Sequence, residues 1–337
     1  MTTPLIIDGQ PRFGRFTAAP STINAHDYVL QSPFDQTITG LRDKLQRKFG
    51  FKSFQFISIN NQDVMIGLAV VDLGWVGNGF FYCYDRKSGE VVEVSALQPF
   101  AHHTQIDLPA AHAHSRFRKG DFQIDILRSP ETRKVVVTQG KQCLLEAVIE
   151  TTQAEPLALC NPTGATGWTY TQKQTAQTVH GSYLHHGERI AISTEAGFLA
   201  ASDDSCGFLN YRTSWRWLSV SATLASGHRV GVNFAMGVNT GFGTENALWI
   251  DGKIFEIPPV MFEQDSNRAG WRVYSADGAV DLRVQTSWCR QESLNLGIVA
   301  SHFNQWVSSV HGSIHSENQT VVFNGEVGLL EKHFAKW

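Results

Sequence analysis

The segment from Phe198 to Lys253 reads FLAASDDSCGFLNYRTSWRWLSVSATLASGHRVGVNFAMGVNTGFGTENALWIDGK, and its pattern is that of a β protein. Along much of it apolar and polar residues alternate with period two, and glycine-containing turns separate the short segments. One of these turns, Asp251-Gly252, is a dipeptide that favours a tight β-hairpin. The stretch therefore predicts antiparallel strands joined by hairpins. It also interleaves aromatic and polar residues more closely than any other part of the chain.

The same pattern extends in both directions from this stretch. Segments such as VMIGLAVVDL before it and KIFEIPPVMF after it have the composition of strands, whereas residues 38–49 have the spacing of an amphipathic helix. Many short strands separated by turns are typical of barrels and sandwiches. We therefore predict an all-β chain of two tandem antiparallel β-barrels with few short helices. A change of composition near 151–188 divides it into a domain at 1–175 and a domain at 176–337.

The composition is that of a globular protein and argues against nucleic acid as a partner. Of the 337 residues, 42% are hydrophobic and 18% are charged, and the net charge of −3 gives no general attraction to nucleic acid. The five cysteines are scattered and no CxxC is present, so a disulfide framework is not expected. The N-terminus lacks the pattern of a secretory signal, and no apolar run approaches the roughly 18 residues of a membrane span. These features predict a cytoplasmic protein and leave peripheral membrane contact open.

The segment 211–219 (YRTSWRWLS) offers the first candidate site. On a strand, Tyr211, Trp215 and Trp217 share one face, which is either a ligand wall or core packing. Arg216 lies on the other face, where a buried guanidinium would need a carboxylate partner. Which face points inward stays open, because a one-residue change of register exchanges the two. The carboxylates proposed as partners are Asp203, Asp204 and Glu245.

Polar residues elsewhere in the same stretch complete the candidate site. Thr244-Glu245-Asn246 follows a glycine-rich turn, so its side chains could point into a barrel mouth or tie down the loop. Asp203 and Asp204 could include a general acid if burial raised one pKa, or could stabilise a turn. The candidate catalytic residues are Asp203, Asp204, Tyr211 and Glu245. The candidate ligand-binding residues are Trp215, Arg216, Trp217, Asn233, Asn246 and Trp249.

The sequence contains no complete signature for a metal, a nucleotide or a catalytic triad. The patterns HExxH, GxGxxG, GxxxxGK[ST] and GxSxG are absent. His185-His186 could supply metal ligands, but adjacent side chains point apart on an extended strand. Cys206 is explained more simply as a small buried thiol than as a nucleophile. We therefore expect no metal and no cofactor.

A series of motifs covers the second half of the chain. It comprises Asp203, Gly207, Tyr211-Arg212-Thr213, Trp215, Trp217, Val230–Asn233, Thr244–Lys253, Trp271–Val273 and Val280–Leu282, with Glu331 and His333 near the end. This series resembles a large bacterial family known only as a domain of unknown function, DUF 2804. The resemblance extends over most of the chain and is specific in the second half.

More distantly, the layout is similar to carotenoid hydratases, tocopherol cyclases and lipocalin-like pericyclases. That resemblance implies two lipocalin-like barrels in tandem that act on lipophilic, often isoprenoid, substrates without an organic cofactor. In those proteins the central Asp of a W-D-W step is a candidate proton donor, whereas this chain has Trp215-Arg216-Trp217. Arginine cannot act as an acid near neutral pH. Protonation would therefore have to come from the four candidate catalytic residues.

The sequence supports three functional hypotheses and leaves open whether the chain is an enzyme. The first is binding of a lipophilic small molecule in a barrel or an inter-domain cavity, with cofactor-independent isomerase, cyclase or hydratase activity. The second is a non-catalytic carrier of a lipid or pigment, which would lack a buried carboxylate with a raised pKa and no cation beside it. The third is a carbohydrate-binding or carbohydrate-active β protein, which would show an open groove with exposed tryptophans and two facing carboxylates.

Overall fold

The structure, a computed structural model, describes residues 3–34, 36–107, 112–266, 269–295, 297, 300–316 and 319–336. Antiparallel strands dominate this part of the chain and form two large sheets, which confirms the predicted all-β fold. The elements up to residue 208 are β1 (Ile6–Ile7), β2 (Gln10–Pro11), β3 (Gly14–Phe16), a 3-10 turn (Ala25–Asp27), α1 (Gly40–Gly50), β4 (Phe51–Asn60), β5 (Val64–Asp72), β6 (Val76–Asp85), β7 (Val91–Pro99), β8 (Thr104–Gln105), β9 (Ala113–Lys119), β10 (Phe122–Arg128), β11 (Thr132–Gln139), β12 (Gln142–Glu150), β13 (Leu157–Thr163), β14 (Gly167–His185), β15 (Glu188–Ile192) and β16 (Leu199–Phe208). The later strands are β17 (Arg212–Thr223), β18 (Arg229–Met236), β19 (Ala247–Ile250), β20 (Lys253–Glu256), β21 (Val260–Gln264), β22 (Gly270–Ser275), β23 (Val280–Asn295), β24 (Ala300–Ser316) and β25 (Gln319–Lys336).

The two sheets follow one another along the chain. In the first, the order is β7-β6-β5-β4-β16-β14-β12-β11-β10-β9-β8, with β13 and β15 paired to β14 and β3 paired to β13. In the second, the order is β20-β19-β18-β17-β25-β24-β23-β22-β21. Most neighbours are joined by hairpins, which is the organisation that the turn signals predict. β1 and β2 form a separate two-stranded ladder.

The chain passes from the first sheet to the second between Phe208 and Arg212. The division predicted at 175/176 falls inside β14, which is 19 residues long and continues through a bulge. The bulge lies at Ala176, whose φ of 53° accompanies a register shift between Gln174 and Gln177. We propose that the domain division follows the sheets and lies at 209–211, since the bulge bends β14 without removing it from the first sheet.

Each sheet buries an apolar core on one face and turns its other face towards its partner. In β4, Ile57 and Ile59 belong to the core of the first sheet. In β17, Leu218 and Val220 belong to the core of the second. A third cluster joins residues of both sheets, and it brings the ring of Phe56 edge-on to the ring of Trp217 at 5.8 Å between centroids. Both faces of the central strands are therefore buried.

The helix α1 lies at Gly40–Gly50, close to the predicted 38–49. Two leucines of its apolar stripe remain in contact with solvent, because Leu41 is 73% exposed and Leu45 is 48% exposed. Phe49 is held by ring stacking on Trp75, with 3.8 Å between centroids. In the described residues, no helix has the length and hydropathy needed to cross a membrane.

Candidate functional site

A cavity of about 430 Å³ lies between the facing sides of the two sheets. Its volume falls in the range of small-molecule sites, roughly 300–1,000 Å³. Most of the wall is apolar, and six aromatic side chains of the described residues contribute to it. These are Phe54, Phe56, Phe80, Trp215, Trp217 and Phe303.

The strand register of the first sheet sets one wall of the cavity. Directly opposed residues on neighbouring strands have side chains on the same face. One row of directly opposed residues, with one residue from each of β14, β16, β4, β5 and β6, therefore has all of its side chains facing the cavity. Its members are Lys173, Asp203, Phe56, Ala69 and Phe80.

The second sheet forms the opposite wall in the same way. Two adjacent rows cross β17, β25, β24 and β23, and all of their members line the cavity. One row is Trp217, Glu331, Gln305 and Arg290. The other row is Trp215, His333, Phe303 and Glu292. Ionisable groups and aromatic rings thus lie side by side on a single buried surface.

Lys173 is the centre of a buried ionic cluster at one side of the cavity. Its ammonium lies 2.8 Å from Asp203 Oδ2 and is also paired with Glu245 Oε2. Burial by itself lowers the pKa of Lys173, but the two carboxylates outweigh burial and raise it above the usual value. Burial raises the pKa of Asp203, and the attraction of Lys173 opposes that rise. Lys173 also lies 5.5 Å from the centre of the Trp217 ring, a cation–π contact.

Glu331 is a second buried carboxyl, and its environment is different. Trp215 Nε1 donates to Glu331 Oε1 at 2.6 Å, and Gln305 Nε2 donates to Oε2 at 3.1 Å. Gln305 is oriented in turn by Tyr82, whose hydroxyl donates to Gln305 Oε1 at 2.7 Å. Burial raises the pKa of Glu331 to about 7, against the opposing effect of these two hydrogen bonds. A carboxyl with this pKa exchanges protons readily at neutral pH.

His333 lies beside this carboxyl without supplying a charge. Its ring centre is 4.2 Å from that of Trp215, and its Nε2 lies 2.8 Å from Ser301 Oγ. Burial lowers the pKa of His333 to about 3, so the imidazole is uncharged at neutral pH. The two side chains that donate hydrogen bonds to Glu331 are therefore neutral, and the neighbouring imidazole of His333 is neutral as well.

Arg290 forms a further ionic cluster in the same wall. Its guanidinium pairs with Glu93 at 3.1 Å and with Glu292 at 2.9 Å. It also lies 3.9 Å from the centre of the Phe80 ring and 5.5 Å from that of Phe303. Two carboxylates and two aromatic faces thus hold one buried cation in place.

Comparison with known proteins identifies the family. The model of the family described as "Domain of unknown function (DUF2804)" matches residues 33–337, which is most of the chain. The chain belongs to the DUF2804 family. This confirms the family recognised from the sequence motifs. No curated protein matches the chain.

Solved structures similar to this DUF2804 chain have low sequence identity. A crystal structure of CghA with Sch210972 superposes with a TM-score of 0.57 at 11% identity, covering 84% of this chain and 88% of that one. CghA alone gives a TM-score of 0.54 at 11% identity, covering 85% and 88%. Kievitone hydratase from Nectria haematococca gives 0.47 at 11% identity, covering 96% and 98%. The two CghA structures show that the DUF2804 chain shares their fold.

Four of the ten candidate catalytic and ligand-binding residues predicted from the sequence line the cavity of the DUF2804 chain. They are Asp203, Trp215, Trp217 and Glu245. Asn233 supports two of them, because it accepts a hydrogen bond from Trp217 Nε1 at 2.7 Å and donates to the Glu245 carbonyl at 2.7 Å. The aromatic face of 211–219 is thus the one that faces the cavity.

The other candidates lie elsewhere. Asp204 points to the opposite face of β16 and pairs with the buried Arg133 at 2.6 Å. Tyr211 is half exposed before β17. Asn246 bonds to the backbone of Ala235 and Pro258, and Trp249 donates to the Glu155 carbonyl. These contacts fix loops and strands of the scaffold.

Arg216 lies on the face of β17 opposite to the cavity, the same face as Leu218. The carboxylates proposed as its partners are held by other cations, Asp203 and Glu245 by Lys173 and Asp204 by Arg133. Within the described ranges Arg216 makes no ion pair, and its buried Nε has no hydrogen-bond partner. The ion pair predicted for Arg216 is therefore not formed, because Lys173 on β14 and Arg133 on β11 pair with these carboxylates instead.

Sequence reasoning missed Lys173, Arg290 and Glu331 as site residues. Lys173 lies in TQKQT, close to the segment that was interpreted as a linker. In the sequence, Glu331 and His333 stand out only as part of the family motif. The available signal is the spacing of Glu331 and His333, two residues apart directly after the apolar run VGLL, which places both side chains on one face of the strand.

His185 and His186 form a separate cluster with Glu90. One ligand atom from each of the three lies within 4.8 Å of the others. The extended geometry assumed from the sequence does not apply, because His186 has a φ of 49° in the turn between β14 and β15 and its ring lies 4.1 Å from that of His185. None of the three residues lines the cavity.

Proposed function

We propose that the cavity between the two sheets binds one apolar small molecule and that Glu331 transfers a proton to or from it. The corresponding reaction class is a cofactor-independent isomerisation, cyclisation or hydration. The observation that carries the proposal is the carboxyl of Glu331 in the cavity wall, with uncharged hydrogen-bond donors and a pKa of about 7. A general acid or base works best when its pKa lies near the working pH.

The shape and composition of the cavity support binding of a lipophilic ligand over binding of a sugar. Trp217 is only 6% exposed and meets Phe56 edge-on, so it does not offer the open face on which a sugar ring stacks. CghA, which shares the fold, was crystallised with the small molecule Sch210972. That precedent supports binding of a small molecule by this architecture.

A non-catalytic carrier would use the same aromatic walls. What favours an enzyme is the contrast between the two carboxyls. Asp203 is paired with the ammonium of Lys173, whereas both hydrogen-bond donors of Glu331 are neutral. Two carboxyls with environments this different are suited to different roles in one reaction.

Blocking the cavity tests the binding part of the proposal. Ala69 lies between Phe56 and Phe80 in the first row, so Ala69→Phe places a ring in the cavity. We expect the fluorescent apolar dye Nile red to bind the native protein saturably, and Ala69→Phe to weaken that binding at least about tenfold. The measurement is a fluorescence titration, with thermal unfolding to show that the variant is folded.

Ala191→Phe is the matched control, because Ala191 is exposed on β15 and does not line the cavity. We expect it to bind the dye like the native protein. Equal binding by Ala69→Phe and Ala191→Phe, or no saturable binding by the native protein, would contradict the proposal.

A further inference from the structure

We infer that the ligand of this cavity is not an anion: it is an apolar molecule that is uncharged or cationic and carries a hydroxyl, amine or carbonyl group instead of a carboxylate or phosphate. This inference rests on the proposed function and specifies the substrate class of the same site. It follows from how the charged groups of the cavity are paired.

Both cations of the two ionic clusters are already bound by two carboxylates each. Lys173 is paired with Asp203 and Glu245. Arg290 is paired separately, with Glu93 and Glu292. A lipid carboxylate or phosphate is normally recognised by an arginine or lysine whose charge is not already neutralised. Each of these clusters instead has one more acid than base.

The net charge of the side chains that line the cavity also disfavours an anionic ligand. Among the described residues that line the cavity, the carboxyls of Asp203, Glu245, Glu292 and Glu331 face the two cations of Lys173 and Arg290. His333 does not add positive charge, because burial keeps it neutral. Acids therefore exceed bases even when Glu331 is protonated. In a buried cavity such an excess repels an anion strongly, since little water is present to screen it.

The hydrogen-bonding capacity of the lining indicates which polar groups would be accepted. Ionised carboxylates are acceptors only, so they recognise a hydroxyl or an ammonium and not another carboxylate. Arg290 can donate a further hydrogen bond, because its Nη1 has no hydrogen-bond partner in the part of the chain that the structure describes. Since Glu93 and Glu292 balance its charge, Arg290 can donate to a neutral carbonyl without attracting an anion. The faces of the aromatic rings would also favour a cation.

Three ligands that share one ring system test this inference. Naphthylmethanol, naphthylmethylamine and naphthoate carry an uncharged, a positive and a negative group on the same skeleton at pH 7.5. Their dissociation constants are measured by quenching of tryptophan fluorescence and by calorimetry on the full chain. We expect the alcohol and the amine to bind and naphthoate to bind at least about tenfold more weakly than the alcohol.

Two variants test whether the paired carboxylates cause the selectivity. Glu292→Gln and Glu93→Gln each remove one of the negative charges that balance Arg290. We expect both to improve naphthoate binding relative to the alcohol by several-fold. Glu146→Gln is the control, because it removes an exposed carboxylate on β12 that pairs with Lys134 outside the cavity. The ratio should not change in this control.

The outcomes separate this inference from the proposed function. Naphthoate binding as tightly as the alcohol would overturn the inference and leave ligand binding by the cavity intact. A naphthoate penalty that persists unchanged in both Glu292→Gln and Glu93→Gln would also overturn it, since the paired carboxylates would then not be its cause. Failure of all three ligands and of Nile red to bind would overturn the proposed function itself.

Discussion

Replacing Lys173 with Met is expected to lower the free energy of unfolding by about 3–5 kcal/mol, because the change leaves two carboxylates buried without their cation. Asp203 and Glu245 are both more than nine-tenths buried and both pair with this one ammonium. Met has nearly the length and apolar character of the lysine side chain, so little packing is lost. The measurement is urea unfolding at pH 7, followed by tryptophan fluorescence.

Lys134→Met is the matched control for this experiment. Lys134 pairs with Glu146 on the surface, where both side chains are nearly half exposed. Exposed pairs of this kind contribute about 0–1 kcal/mol, so a small change is expected. A Lys173→Met variant no less stable than Lys134→Met would show that the ammonium of Lys173 does not stabilise the two buried carboxylates.

We expect the free energy of unfolding of the native protein to fall as the pH rises, and Glu331→Gln to abolish the part of this fall that comes from ionisation of Glu331. The ordinary pKa of a glutamate is 4.5, and burial raises that of Glu331 to about 7 in the folded protein. The folded state therefore binds this proton more tightly than the unfolded chain does. Its stabilising effect is complete below pH 4.5 and is lost as the pH rises through about 7.

The size of this effect follows from the shift of the pKa. Each pH unit between the two values corresponds to about 1.4 kcal/mol, so the total is roughly 3 kcal/mol. The glutamine side chain of Glu331→Gln cannot ionise, so the variant should gain stability relative to the native protein between pH 5 and pH 8. The difference between the two unfolding free energies, measured by urea titration across this range, isolates Glu331 from the other titrating groups. A difference that does not vary with pH would contradict the raised pKa.

Much of the fold follows from the sequence because alternation and turn signals are local. The stretch at 198–253 predicts strands and hairpins, and the structure has β16 to β19 there, with β20 beginning at its last residue. The domain division predicted at 175/176 precedes the change of sheet, which lies between Phe208 and Arg212. The reason is that the polar composition near 151–188 is typical of a linker, whereas the structure uses it for β13, β14 and the start of β15.

The site was less predictable than the fold, for two physical reasons. First, both faces of β17 are buried, so hydrophobicity alone cannot show whether Trp217 or Leu218 faces the cavity. Second, Lys173 and Glu331 reach the site from β14 and β25, and their positions depend on strand register and on how the two sheets face each other. The residues found from the sequence are those of one continuous stretch, and their charged partners come from distant parts of the chain.

Proton transfer by Glu331 is measured by mass spectrometry of the organic extract after the protein, purified from its own host, is incubated in D₂O. Proton transfer by Glu331 predicts that a bound apolar molecule is recovered with deuterium attached to carbon. It also predicts that the same molecule from Glu331→Gln, incubated in the same way, keeps its original mass. Recovery of an undeuterated molecule from the native protein would identify a carrier and contradict the catalytic role of Glu331. Recovery of no organic molecule would contradict the assignment of the cavity as a binding site.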